Sequence, residues 1–440
     1  MLNKPTLRYG QIWNINFGFL GTQICFTLVM TNTSRILSAL GADTNELAFL
    51  WLAAPLAGLF MQPLIGYFSD RTWTRLGRRI PYILIGLVVS AIMMFLMPNS
   101  YIVSRIMPPV LAGVSILFLM QSAFNVSMQP YRSLVGDMVN SKQSNQGYSV
   151  QTIVSNLGAI VGSCLPFLLA YIGFSNQADE GRVADSVSVS FYIGIGFLVL
   201  TNLWTCFSVK EYPPQLFEEY NRSESANKEE NATSTDNKKT IITILQLSIV
   251  QLFSWFAFYY IWVYATDGIA VTVWNTSDPH SVEYNHAGNW FGILTGVYSV
   301  IAAIFSIFLP RITDKFGRKN FYSFSLVLGG IGMLSMFFIH DQYLLLLPMF
   351  LIGIAWAMIL TMPFSILANV VPSNKMGLYM GLLNITIVIP QIAGGLLGHF
   401  LFENVAGSRP FAMFLVSGVS LLIGAVSVIF INDPVKKTSR

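Results

Sequence analysis

Residues 51–83 read WLAAPLAGLFMQPLIGYFSDRTWTRLGRRIPYI. The first part, up to Phe68, carries no charge, then Asp70, Arg71, Arg75, Arg78 and Arg79 follow in quick succession, and a second apolar run opens at Ile80. An α-helix needs about 20 mostly apolar residues to cross a bilayer. The stretch therefore predicts two neighbouring spans joined by a short basic loop. The same alternation runs along all 440 residues, and the chain is 54% hydrophobic and only 10% charged, against roughly 25% charged for a soluble domain. Spans are predicted at 11–38, 47–68, 80–98, 108–136, 147–174, 189–209, 241–266, 288–312, 320–339, 342–371, 376–402 and 410–431, twelve in all. The fold class is thus an all-α membrane protein. A β-barrel needs alternating segments of about ten residues, which these continuous runs are not. The first span is too long and lacks the small-residue cleavage site of a removable signal peptide.

Basic residues mark the side of the loops. All but Arg35, Arg105, Arg182 and Arg409 of the 25 lysines and arginines fall on the side that includes both termini, so both termini are expected in the cytoplasm. Residues 210–240 form the longest charged, weakly hydrophobic stretch. It is read as a cytoplasmic linker between a six-helix half at 1–209 and another at 241–440. A partial repeat agrees: Gly66, Asp70, Arg71, Gly77, Arg78 and Arg79 after the second span correspond to Asp314, Lys315, Gly317, Arg318 and Lys319 after the eighth. An acid, a glycine and paired bases at equivalent places in each half resemble the loop signature of the major facilitator superfamily. That fold repeats such halves in parallel. The charges are read as a gate that joins helix ends by charge-assisted hydrogen bonds, with Asp137, at the inner end of span four, able to join it. The alternative reading is that the bases only fix orientation.

Polar side chains inside spans are costly unless they face a partner or a water-filled cavity. Span one carries Asn16, Gln23, Thr27 and Thr31 on one helical face, and span four carries Gln121, Asn125, Gln129 and Arg132. Span seven carries Gln251, Trp255, Tyr259 and Trp262, and span eleven carries Asn384 and Gln391 with Pro390 between them. Amides donate and accept and aromatic faces pack on the apolar faces of a pyranose, so the set suits a neutral, hydroxyl-rich ligand. The bland alternative is interhelical bonding between amides and hydroxyls. Spans one, four and seven line the central cavity in the superfamily the chain resembles. Asp267 lies near the outer end of span seven.

The run 51–83, together with NVSMQPYRSLVGD at 125–137, SWFAFYYIWVYATD at 254–267, GIAWAMILTMPFSILANV at 353–370 and GLLNITIVIPQ at 381–391, resembles plant sucrose/proton symporters and their animal and bacterial relatives. These form the glycoside, pentoside and hexuronide branch of the superfamily. The resemblance implies a secondary transporter of a disaccharide such as sucrose or maltose, with a proton as coupling ion. One departure stands out. Where that family has a membrane-embedded acid in helix four, this chain has Gln121, which cannot titrate, and the first of the paired acids of helix seven falls on Ala265 while Asp267 keeps the second. Symport and uncoupled facilitation both stay open, as do drug or lipid efflux and a sugar sensor that does not transport.

An enzyme is not expected, nor is any cofactor. The four histidines, at 280, 286, 340 and 399, lie in or near loops without metal-ligand spacing, and Cys25, Cys164 and Cys206 sit singly in separate spans. Partners are expected to be a sugar, protons if coupled, and the lipid bilayer. Nucleic acid is excluded because the basic residues follow membrane topology, the chain is expected to act as a monomer, and the short loops suggest a bacterial inner membrane.

Overall fold

A computed structural model describes residues 4–140, 143–178, 181–220, 237–368 and 376–431; at 144–145, 237–240, 310, 314, 368, 376–382 and 384 it describes the backbone alone. Among the described residues twelve long helices follow one another: α1 Tyr9–Ala39, α2 Leu47–Arg71, α3 Ile80–Leu96, α4 Pro109–Met138, α5 Ser144–Tyr171, α6 Asp185–Ser208, α7 Asn237–Val273, α8 Val282–Phe316, α9 Arg318–Met336, α10 Leu346–Ala368, α11 Met376–Asn404 and α12 Pro410–Phe430. They match the expected spans one for one. Ten are long and apolar enough to cross a membrane, while α3 is a shorter apolar helix of 17 residues. The twelfth, α9, opens on Arg318, Lys319 and Asn320, which dilute its hydropathy. Proline sits in the first turn of α3, where its missing N–H is no loss. Helix α2 is interrupted by a turn at Trp51 and Leu52 before it resumes at Ala53.

The chain divides into two compact units: residues 1–41 with 53–231, and residues 42–52 with 232–440. In the first, α1 packs on α4, α5 and α6, while α4 also packs on α2 and α3. Small residues let helix backbones approach where no hydrophobic force separates protein from lipid. A Cβ on Gly162 of α5 would lie 2.2 Å from the Ile24 carbonyl oxygen of α1, so only glycine permits this approach. Buried polar groups tie the rest: Tyr131 Oη donates to Asn202 Oδ1 at 2.9 Å, and Asn202 Nδ2 donates to the Gly18 carbonyl at 3.1 Å. Asn16 belongs to this scaffold as well, since its amide donates to the Ile12 and Gly147 carbonyls at 2.9 and 3.4 Å.

In the second unit, α7 packs on α8, α10, α11 and α12, and α9 packs on α10 and α12. Residues 42–52 belong here: Tyr259 of α7 donates to the Ala48 carbonyl, and its ring meets Trp51 edge-on at 6.4 Å. Helix α7 outruns its expected end at 266 and continues to Val273. The reason is local. Asp267 interrupts the apolar run, but its carboxyl is buried and accepts from the Tyr284 hydroxyl of α8, so the charge does not end the helix.

Candidate functional site

On α4, Gln121 and Asn125 lie one turn apart and both are buried. Asn125 Nδ2 donates to the Gln121 carbonyl at 2.8 Å, and its Oδ1 accepts from Gln62 Nε2 of α2, also at 2.8 Å. The Gln121 Nε2 has no partner among the described residues although the side chain is only 1% exposed. An unpaired buried amide costs about 1–3 kcal/mol. Such a group is a donor awaiting an acceptor. Gln129 is half-buried, Arg132 exposed, and Gln23 half-buried where Gly158 of α5 closes on its Cβ. Thr31 bonds the Thr27 carbonyl of its own helix at 3.0 Å. Gln62, which completes the amide pair, carries no periodic signal in its sequence and was not among the expected residues.

The second unit brings aromatic rings together. Gln251 Oε1 accepts from Trp255 Nε1 at 3.1 Å, and its Nε2, fully buried, has no partner among the described residues. Trp255 meets Trp356 of α10 at 5.5 Å and Trp262 at 6.2 Å, both edge-on, while Phe258 lies 4.7 Å from Trp356. Trp262 Nε1 reaches the Tyr298 hydroxyl of α8 at 3.4 Å. Trp262 and Trp356 are half-buried, so each keeps an open edge. Trp356 and Tyr298 share their helices with other aromatics, Phe350 and Phe364 in α10 and Tyr284, Trp290 and Phe291 among those of α8, so the sequence does not single them out. Tyr259, on the expected face, instead holds Ala48, and Gln391 Nε2 bonds the Ile387 carbonyl of its own helix at 3.1 Å. The side chain of Asn384 lies outside the described residues.

The charged loop of the first unit forms one network. Asp70 Oδ1 receives Arg78 at 2.6 Å and Arg79 at 2.8 Å, and Arg79 Nε donates to Asp137 Oδ2 at 2.7 Å. Arg79 Nη1 adds a bond to the Ser69 hydroxyl at 2.6 Å. Burial opposes the charge of Arg79, but Asp137 and Asp70 beside it outweigh that and hold the guanidinium more firmly protonated than usual. Arg71 stands apart, with its guanidinium 3.6 Å above the Tyr67 ring. In the second unit, Arg318 Nη1 reaches the Ser365 hydroxyl at 3.4 Å, and the side chain of Asp314 lies outside the described residues. Among the described residues no group of His, Cys, Asp or Glu is placed to hold a metal ion.

Among the described residues, twelve long helices, most of them apolar enough to span a membrane, with buried amides and a charged loop of this make, are the architecture of a polytopic membrane protein. Residues 36–402 match the major facilitator superfamily/sugar transport protein family, and the chain belongs to it. It is 23% identical over 412 residues to sucrose transport protein SUC4 of Arabidopsis thaliana, covering 84% of this chain and 80% of that one. It is 26% identical over 320 residues to the general alpha-glucoside permease of Schizosaccharomyces pombe, covering 68% and 55%. A D-xylose-proton symporter of known structure superposes at a TM-score of 0.68 with 15% identity, covering 98% and 97% of the two chains. A POT family peptide transporter does so at 0.71 with 11% identity, covering 97% and 98%. These two likenesses establish the major facilitator fold and nothing finer. The family is one of transporters rather than enzymes.

Proposed function

We propose that this protein carries a neutral sugar, a disaccharide of the sucrose or maltose type, across a bacterial inner membrane by alternating access. It acts as a monomer with both termini in the cytoplasm. The observation that carries this reading is the cluster of Trp255, Trp262, Trp356 and Tyr298 beside the unpaired amide of Gln251. Indole faces pack on the apolar faces of a pyranose, and an amide can serve its hydroxyls. The Gln121 amide offers the same chemistry on the first unit. Neither group contains an acid or a base, which disfavours a charged peptide or nucleotide, and its unpaired amides disfavour a greasy efflux substrate. The sucrose and alpha-glucoside transporters among the relatives point the same way.

Coupling has two branches. Gln121 cannot titrate, which favours facilitated passage. Symport is favoured by Asp267, the one acid buried within a spanning helix among the described residues, held by the Tyr284 hydroxyl. Uptake of labelled sucrose, maltose and trehalose into proteoliposomes, with and without an inward proton gradient, tests both points. Saturable uptake of at least one sugar is expected, and uptake of none would reject the assignment. Accumulation abolished by an uncoupler selects symport, and equilibration indifferent to the gradient selects facilitation.

A further inference from the structure

The chain leaves α6 at Ser208 and folds back over the loop between α2 and α3. Val209, Phe217 and Tyr220 are buried there, residues 214–220 are helical, and Tyr212 Oη donates to the Met138 carbonyl at 3.2 Å. Glu211 is the centre of this contact. Its Oε1 accepts the backbone N–H of Arg79 at 2.8 Å and of Ile80 at 2.9 Å, and its Oε2 accepts that of Arg78 at 2.9 Å. These donors stand at the start of α3, where the first N–H groups lack partners within the helix and a negative charge suits the helix dipole. Gly77 makes the arrangement sterically feasible. Its φ is +115°, and a Cβ there would lie 2.5 Å from Glu211 Oε1.

The backbone that Glu211 grips bears Arg78 and Arg79, whose guanidinia hold Asp70 and Asp137. A third carboxylate near two guanidinia would compete for them if it met their side chains. Bonded to backbone N–H groups, it leaves both free for Asp70 and Asp137. The guanidinium of Arg78 is further seated 4.8 Å over the ring of Phe217, from the same segment as Glu211. Asp70 is 58% exposed, so the network lies where it can open and re-form.

We propose that Glu211 is a positioning residue for transport: it anchors the 77–80 backbone so that Arg78 and Arg79 re-engage Asp70 and Asp137 in each cycle. The inference needs only that the chain transports, whichever sugar it takes.

Hydrogen–deuterium exchange of the purified full-length protein tests the anchor without any substrate. In Glu211→Ala and in Gly77→Ala, the amides of Arg78, Arg79 and Ile80 should exchange about tenfold faster or more, since a charged acceptor is lost or displaced. The near-isosteric Glu211→Gln, which keeps one carbonyl oxygen, should fall between these and the unmodified protein. In proteoliposomes loaded with labelled sucrose or maltose, net transport should slow about tenfold in both alanine variants while the sugar Kd stays within about twofold. The double variant should be no slower than the slower single one. Unchanged exchange would overturn the proposal whatever the sugar, and so would faster exchange with net transport at the unmodified rate, equal losses of binding and transport, or multiplicative losses in the double variant. If the unmodified protein moves neither sugar, the sugar reading fails and exchange alone decides for or against the anchor.

Discussion

The two charged breaks share a sequence motif and differ in how they are built. In the first unit, residues 72–79 form a true loop between α2 and α3, and its Arg78 and Arg79 are gripped by Asp70, Asp137 and Ser69 while Glu211 holds its backbone. In the second, the break is a single residue, Gly317 with φ +83°, between Phe316 of α8 and Arg318 of α9. A one-residue break gives the neighbouring helices no extended backbone to grip. The longer motif of the first unit supplies that backbone. An acid, a glycine and paired bases in a sequence therefore predict a turn at a membrane surface, but the anchoring depends on loop length and on what folds back over it.

The comparison is broken most directly at Arg79. Replacing it with alanine leaves Asp137 without its guanidinium, and stripping one partner from a largely buried pair costs about 3–5 kcal/mol. Net transport by Arg79→Ala should fall about a hundredfold or more, against less than about tenfold for Arg318→Ala. Equal losses, read as initial rates at matched protein levels in proteoliposomes, would erase the distinction between the loops.

The next largest effect concerns the second unit. Trp356→Ala removes the ring that Trp255, Trp262 and Phe258 all touch, and a buried aromatic anchor is worth about 2 kcal/mol or more in binding. Sugar Kd should rise about thirtyfold by equilibrium dialysis. Gln121→Ala, which removes one amide, should raise it about tenfold. Gln121→Asp is of another kind, since it restores a titratable group and should make accumulation more dependent on an imposed proton gradient, read with and without an uncoupler.

The smallest effect belongs to Arg71, whose guanidinium rests on the exposed ring of Tyr67 outside the ion network. An exposed cation–π contact is worth about 0.5–1 kcal/mol. Arg71→Ala should transport at close to the unmodified rate, and a loss approaching that of Arg79→Ala would place Arg71 inside the gate.

Much of the fold was legible because lipid imposes a simple rule: long uncharged runs become helices, and all twelve spans fall where such runs lie. The end of α7 was not, because a hydropathy reading stops at Asp267 whereas the folded chain buries that carboxyl against Tyr284. The amide stripe of α4 and the tryptophans of α7 were visible as helical periodicity. Gln62, Tyr298 and Trp356 were not: Gln62 is a solitary amide without a period, and α8 and α10 carry several aromatics of which only packing shows the ones that meet α7. Glu211 was hidden differently. It opens the stretch read as linker by its charge and low hydrophobicity, and nothing in that composition tells a carboxylate in water from one seated on three backbone N–H groups. Gly77 was read only as the glycine of the loop signature, and its role in leaving room for that carboxylate depends on a residue more than a hundred positions away.

The central proposal is that the chain binds a disaccharide, and the tryptophan cluster of the second unit and the Gln121 amide of the first are each tested for a part in it. Isothermal titration calorimetry of sucrose and of maltose into the purified protein, its Trp356→Ala variant and its Gln121→Ala variant addresses it without a transport assay. The account predicts saturable binding of at least one sugar to the unmodified protein, weakened about thirtyfold by the first substitution and about tenfold by the second. Binding of neither sugar to the unmodified protein, or undiminished binding to both well-folded variants, would contradict it.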